Sequence, residues 1–282
     1  MAIAIPNTHC LETELDMDSV VLDTPFEPAA LAKASTATLK TSLIKQVDER
    51  EAEPMAKKVR FANQTLMPLF NELEKRNPTP DLHQQIPLLK GVWHSVWSTN
   101  PFQDILPGRV LHESYQIFSD HGFYANLARY KPGRKAPILS WVSRWLLSYD
   151  LMIMQSYAVQ SQTPAKPNQP LMPGRSGDQY WEIQNVCIQQ VLRIGSRSFS
   201  AETAQNWFEQ AVDKYQKQPE SQRQTSIPSR STTRVTAKQY QQISKARPQL
   251  DNLYIDQDFR LVKTQREKSQ RPSYTVALRL PS

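Results

Sequence analysis

The chain has 282 residues, with 34 Lys and Arg against 27 Asp and Glu and a formal net charge of +7. Its 39% hydrophobic and 22% charged residues are those of a folded protein with a core, and no uninterrupted apolar run approaches the ~20 residues of a transmembrane helix. The 7 glycines form neither a GxGxxG nor a GxxxxGK[ST] pattern, which removes the sequence basis for dinucleotide or P-loop phosphate binding.

Cys10 and Cys187 lie far apart and lack CxxC spacing, so neither a disulfide framework nor a zinc site is expected, and a reducing compartment is the default. The first ten residues have no basic start and no long apolar stretch, and Glu12, Glu14, Asp16, Asp18 and Asp23 follow. Neither a secretory signal nor a transit peptide reads this way, and the expectation is a cytoplasmic protein. Charge is polarised along the chain: residues 11–53 hold 10 acidic and 4 basic side chains, whereas residues 214–271 hold 13 basic and 5 acidic. A basic region of this kind attracts an anionic membrane surface or an acidic protein; no specific nucleic acid is expected.

In chain order, residues 1–27 read as an acidic, flexible N-terminus and residues 28–80 as helical. One helix is expected over Pro28–Arg50, where Leu39, Leu43, Ile44 and Val47 share a stripe, and a second over Phe61–Arg76, where Leu66, Leu69, Phe70 and Leu73 repeat at i, i+3, i+4 and i+7. Asn77-Pro78-Thr79-Pro80 stops it. From Leu89 to Thr99 the period becomes two, with Leu89, Gly91, Trp93 and Trp97 on one side of a strand and Lys90, His94 and Ser98 on the other. Val110–Phe118 and Phe123–Tyr130 flank Ser119-Asp120-His121-Gly122 and predict a hairpin.

A Trp-rich segment carrying Trp141 and Trp145 precedes a strand from about Tyr149. That strand places Tyr149, Leu151, Ile153, Tyr157 and Val159 on one face. Residues 161–179 hold four prolines and two glycines and form a long loop, after which Tyr180–Ile194 returns to strand. Ser200 is an N-cap for a helix to about Lys217, followed by a polar, basic, mobile stretch, so that residues 200–249 form an insertion. Two alternating strands close the chain, Leu253–Leu261 and Tyr274–Leu280. The class is mainly β (α+β): antiparallel strands of a closed or nearly closed barrel over residues 87–282, with N-terminal helices and an inserted helix.

Five histidines never pair at ligand spacing, and no nucleophile motif has local support, so neither a metal nor a catalytic centre is expected. Asp256, Asp258 and Arg260 fall on one strand face and read as a structural salt-bridge row. Aromatic residues are the more telling supply: Trp93, Trp97, Tyr115, Phe123, Trp141, Trp145, Tyr149 and Tyr157 either fill a small barrel or line a cavity for one lipophile.

Leu73-Glu74-Lys75-Arg76-Asn77-Pro78-Thr79-Pro80, then Leu88-Leu89-Lys90-Gly91-Val92-Trp93 and Trp97-Ser98-Thr99, resemble the plastid lipid-associated protein (PAP/fibrillin) family. Leu250 to Leu261, with Asp256-Gln257-Asp258-Phe259-Arg260-Leu261, resembles that family's closing signature. The resemblance implies a lipocalin-like (calycin) barrel whose first strand carries a Gly-x-Trp, here Gly91 and Trp93, in a cyanobacterial type of member. It further implies peripheral association with thylakoids, handling of a quinone, carotenoid or other lipid, and no enzymatic activity or resident cofactor. Phe259 where Leu is usual, the missing Gly-Asn turn over Gln265–Ser273, and the insertion over 161–234 depart from the pattern. Two other readings stand beside it. One is an adaptor on the photosynthetic apparatus whose basic region, 214–271, holds an acidic protein; the other, by fold analogy, is a bilin-handling enzyme.

Overall fold

A computed structural model describes residues 26–101, 109–131, 147–161, 179–194, 197–219, 249–265 and 271–281. Trp141, Trp145, the acidic N-terminus to Pro25 and most of the basic region lie outside them. The expected single helix over Pro28–Arg50 is two, α1 (Pro28–Lys33) and α2 (Thr36–Val47), because Ser35 is extended and its hydroxyl accepts the Thr38 N–H at 3.1 Å. Helix α3 (Met55–Phe61) passes through a π turn at Ala62–Leu66 into α4 (Met67–Lys75), where Pro68 has no N–H for the helical ladder. Helix α5 (Leu82–Leu89) takes Leu89 from the expected strand. Its start is set by Asp81, whose carboxylate accepts the N–H groups of His83 and Gln84.

Eight strands follow: β1 (Gly91–Ser98), β2 (Arg109–Phe118), β3 (Phe123–Tyr130), β4 (Leu147–Ser161), β5 (Gln179–Ile194), β6 (Gln249–Ile255), β7 (Phe259–Gln265) and β8 (Ser273–Arg279). Helix α6 (Ala201–Gln216) lies between β5 and β6 and begins at Ser200 as its sequence predicts. All pairings are antiparallel in the order β5-β4-β3-β2-β1-β8-β7-β6. The sheet curls into a half-barrel, and β5 and β6 end it without pairing among the described residues. Its inner face is identified by side chains that meet across this gap: Trp181 and Ile183 of β5 pack in one cluster with Leu250 and Ile255 of β6 and with Trp93.

Register shifts in β1, β2, β6 and the β4–β5 pairing shape the curl and decide which side chains face inward. In β1 the pairing passes from Ser95 opposite Ala277 to Trp97 opposite Val276, leaving Val96 extra. Trp97 therefore turns outward, and the single alternation expected through Trp93 and Trp97 is corrected: a one-residue insertion moves every later side chain to the other face. Similar shifts occur in β6 between Asn252 and Tyr254 and in the β4–β5 pairing after Met154.

The outer face is covered by helices in two clusters. Helices α1 to α4 bring Leu31, Leu39, Leu43, Leu66, Leu69, Phe70 and Leu73 against Trp97, Tyr254, Phe259, Leu261, Tyr274 and Val276. Helix α6 brings Ala204, Phe208, Ala211 and Val212 against Tyr115, Ile117, Ala125, Leu127, Met152 and Met154. Each fully buried aliphatic or aromatic side chain of this kind contributes about 1.5–3 kcal/mol.

Asp256 and Asp258 occupy the β6–β7 turn, not a strand face, and Arg260 points to the opposite side of the sheet. The expected row is thus replaced by a tie to α2: Lys40 Nζ donates to Asp256 and to Asp258, each at 2.8 Å. Asp256 also accepts the Asp258 and Phe259 N–H groups. At the same end, Arg279 donates to the carbonyls of Leu88, Lys90 and Gln257, and its guanidinium lies 4.3 Å from the Trp93 ring centroid. This closes α5 onto the sheet.

Gly91 makes that closure with φ +107°, and a Cβ there would stand 3.0 Å from Arg279 Nη1. Gly91→Ala is expected to lower stability by about 1–3 kcal/mol, read as a lower urea midpoint at unchanged m-value. The Lys40 tie predicts acid sensitivity. Burial alone would raise the Asp256 carboxyl, but hydrogen bonds from Asp258, Lys40 and Tyr254 outweigh it and hold the group down at about 2. The folded value lies below the unfolded one, so the contribution is complete above about pH 4 and is lost as pH falls through about 2. Lys40→Met should remove on the order of 1 kcal/mol at pH 7 and progressively less between pH 4 and 2, measured by urea unfolding across that range.

Candidate functional site

The interior of the half-barrel has two unlike halves. The lower half, at the α5 end, is filled: Trp93, Phe118, Tyr124, Tyr157, Trp181 and Ile183 pack together with Leu88 and Leu89. Phe118 and Tyr124 stack at 5.0 Å, and Tyr157 meets Trp181 edge-on at 5.6 Å. Trp93 is fully buried and its Nε1 donates to the Leu89 carbonyl at 2.8 Å. The Tyr157 hydroxyl donates to the Ser119 carbonyl at 3.1 Å.

Above this cluster a row of amides crosses the inner face of four strands. Gln116 Nε2 donates to Asn126 Oδ1 (3.1 Å), Asn126 Nδ2 to Gln155 Oε1 (3.3 Å), and Gln155 Nε2 to Asn185 Oδ1 (2.6 Å). Arg260 joins the row from β7. Its Nη1 donates to Gln116 Oε1 at 3.2 Å and its Nε to Asn252 Oδ1 at 2.7 Å, while Asn252 Nδ2 donates to Gln85 of α5 at 2.6 Å. The network thus runs from α5 through β6 and β7 to β5.

Arg260 is 0% exposed, and its guanidinium carbon lies 4.8 Å from the Phe118 ring centroid and 6.0 Å from that of Trp93. Among the described residues no carboxylate pairs with it, and Nη2 has no hydrogen-bond acceptor. Burial pulls the group down to about 9, so it remains cationic at neutral pH. Burial also raises the phenols of Tyr124 and Tyr157, which stay neutral and supply no counter-charge.

The upper half differs from the lower in side-chain size. Tyr130, Leu151 and Ile188 form an apolar wall with Ala128, Tyr149 and Ile153, and Tyr130 and Tyr149 stack at 5.2 Å. The other wall carries small buried hydroxyl side chains, Ser95, Ser98, Ser114 and Thr275, with Ser98 and Thr275 2.8 Å apart, and the buried Arg109, which donates to Ser114 Oγ at 3.0 Å and pairs with Glu51. At the rim, Leu192 opposite Tyr149 is 67% exposed and Ile194 opposite Leu147 is 82% exposed. An apolar edge is therefore presented to solvent where the inner face begins.

The structure brings together only part of the expected aromatic set. Trp93 and Tyr157 stand in the filled lower half, and Tyr149 on the upper wall. Trp97, Tyr115 and Phe123 face outward beneath helices: Trp97 under α1 to α4, Tyr115 with its hydroxyl on the Phe199 carbonyl at 2.9 Å, and Phe123 edge-on to Tyr215 of α6 at 5.5 Å. The outward turn follows from register, since Tyr115 pairs with His94 while Trp93 pairs with Gln116. Trp141 and Trp145 lie outside the described residues. Arg260 is corrected from a member of a structural salt-bridge row, and from one of the outward-facing basic side chains of 214–271, to a buried member of the amide network on the inner face.

Comparison of the chain with family models, curated proteins and solved structures finds no match. Among the described residues no helix is long and apolar enough to cross a membrane.

The amide row should behave as one unit. Gln155→Leu removes the acceptor of Asn126 Nδ2 and the donor to Asn185, and is expected to cost about 1–3 kcal/mol in urea unfolding despite its greater hydrophobicity. A stabilised variant would mean that the row is not connected.

Proposed function

We propose that this protein binds a single small lipophile, without transforming it, in the upper half of its half-barrel. One observation carries the reading: an apolar wall on β3 to β5 faces a wall of small hydroxyl side chains, and the wall continues to the exposed Leu192 and Ile194. Small concave sites that are mostly apolar, with a few convergent polar groups, are the usual seats of such ligands. The lower half, packed with aromatic rings, serves as a plug.

The calycin reading is supported by the up-and-down strand order with β1 beside β8, and by Gly91 and Trp93 at the entrance to β1. With it comes the resemblance to the PAP/fibrillin family, and hence a quinone, carotenoid or other lipid as ligand and a peripheral place on thylakoid membranes. The charge of residues 214–271, with Arg260 set aside as an interior group, provides the attraction to an anionic surface at roughly 1 kcal/mol per well-placed cation.

Trp93 and Trp181 lie directly beneath the proposed site, so their fluorescence is expected to be quenched by a short-chain quinone. Ala128→Trp should fill the upper half and weaken that binding at least tenfold while leaving the unfolding midpoint within a few degrees. Equal quenching in wild type and variant would overturn this location, and the absence of quenching by quinones, carotenoids and retinoids would overturn lipophile binding.

A further inference from the structure

We infer that the free edge of β5 pairs with the same edge of a second copy of this chain, antiparallel about a two-fold axis at Val191. The proposal needs that edge alone and stands whether or not the upper half holds a lipophile. Strand β5 is the longest of the sheet, 16 residues, and its pairing with β4 runs without a break in contact from Gln179 opposite Ser161 to Ile194 opposite Leu147. On its other side it has no strand partner among the described residues. The cluster in which β6 meets β5 takes Trp181 and Ile183, near the start of β5, and nothing from Ile188–Ile194. The last stretch of β5 therefore presents its outer N–H and C=O groups with no strand among the described residues to receive them.

An edge of this kind is ordinarily blunted by Lys, by Pro or by a short strand. From Gln179 to Ile194 there is no Lys, no Pro and no Gly, and the charged residues are Glu182 and Arg193. Near the end, Leu192 and Ile194 stand exposed on the concave side, and with Ile86 they are the exposed large apolar side chains of the described residues. Ile188–Ile194 has the composition of a segment that pairs with its own kind: largely apolar, weakly charged, free of Pro and Gly.

Charge selects a second copy over a foreign strand. Addition of a foreign strand is made specific by pockets or charges at alternate positions. Here the alternate positions Ile188, Gln190, Leu192 and Ile194 carry no charge, and Arg193 on the other side is already answered by the buried Asp150 at 2.8 Å. Antiparallel pairing centred on Val191 sets Ile194 opposite the partner's Ile188, Leu192 opposite the partner's Gln190 and Arg193 opposite the partner's Gln189. The whole segment then pairs and no like charges oppose. Each chain spends its one such edge, so the assembly closes at two copies. Leu192 and Ile194 become covered, and the apolar wall of Tyr130, Leu151 and Ile188 continues across the axis.

The test is sedimentation of the full-length protein across a range of concentrations. One strand pair is a small interface, so a dimer with a dissociation constant on the order of 10 µM is expected. Leu192→Lys should raise that constant at least tenfold, and because this side chain is 67% exposed the urea midpoint should not move. A second variant reads the register. With Cys10→Ser and Cys187→Ser in place, Val191→Cys sets a thiol opposite its own copy within disulfide reach, and oxidised glutathione should link the dimer there. A chain that stays monomeric up to about 200 µM overturns the proposal, as does a dimer that Leu192→Lys leaves unchanged. Assemblies that grow beyond two copies overturn the two-fold pairing. A monomer that Leu192→Lys destabilises also overturns it, and shows that another part of this chain covers the edge.

Discussion

A cation in the centre of a barrel, held by amides alone, is the constraint to which the rest of this fold answers. Arg260 connects β7 to β6 through Asn252 and to β2 through Gln116, and the amide row extends that connection to β5. The two strands that end the sheet do not pair among the described residues, so this polar network is the continuous hydrogen-bonded path across the concave side. Such networks are effective only when every member keeps its partner, and the low polarity around them strengthens each bond as much as it penalises each missing one.

The cost of that interior is offset outside the sheet. Helices α1 to α4 cover β6, β7, β8 and the outward end of β1, while α6 covers the other strands. Matched ions fasten these covers: Lys40 to the β6–β7 turn, and Glu51 to Lys58, Arg109 and the β1 backbone. In a small barrel filled by its own side chains, core and interior are the same place. Here much of the core lies on the convex face.

This division explains what was legible in the sequence. Strand alternation, the Ser119–Gly122 hairpin and the Ser200 cap depend on local geometry, and they stand within a residue or two of their expected places. Which face is interior does not depend on local geometry alone. Both faces of the strands are buried, so apolar side chains mark neither, and the bulge at Val96 leaves no compositional trace while sending Trp93 and Trp97 to opposite sides. The amide row did have a signal. On the face shared by Tyr149, Leu151, Ile153, Tyr157 and Val159, Gln155 is the polar interruption, as Asn126 is between Tyr124 and Ala128. Read together across neighbouring strands, these interruptions form the row. Arg260 was hidden by company: Asp256 and Asp258 share its parity, but the β6–β7 turn begins at Asp256 and separates them from the strand.

A convex-face core also frees the concave face from the need to be apolar throughout. Replacing Arg260 and its amides by aliphatic side chains of similar volume would remove several desolvated groups, a change that is often neutral or stabilising in protein interiors. Stability therefore gives no reason for a guanidinium above Phe118. The small hydroxyl side chains of β1, β2 and β8 keep partners within the protein, as Ser98 does with Thr275 and Ser114 with Arg109. The concave side thus joins a buried guanidinium and its amides to an apolar wall on β3 to β5 and, through Arg109 on Ser114, to the ion cluster of Glu51 and Lys58.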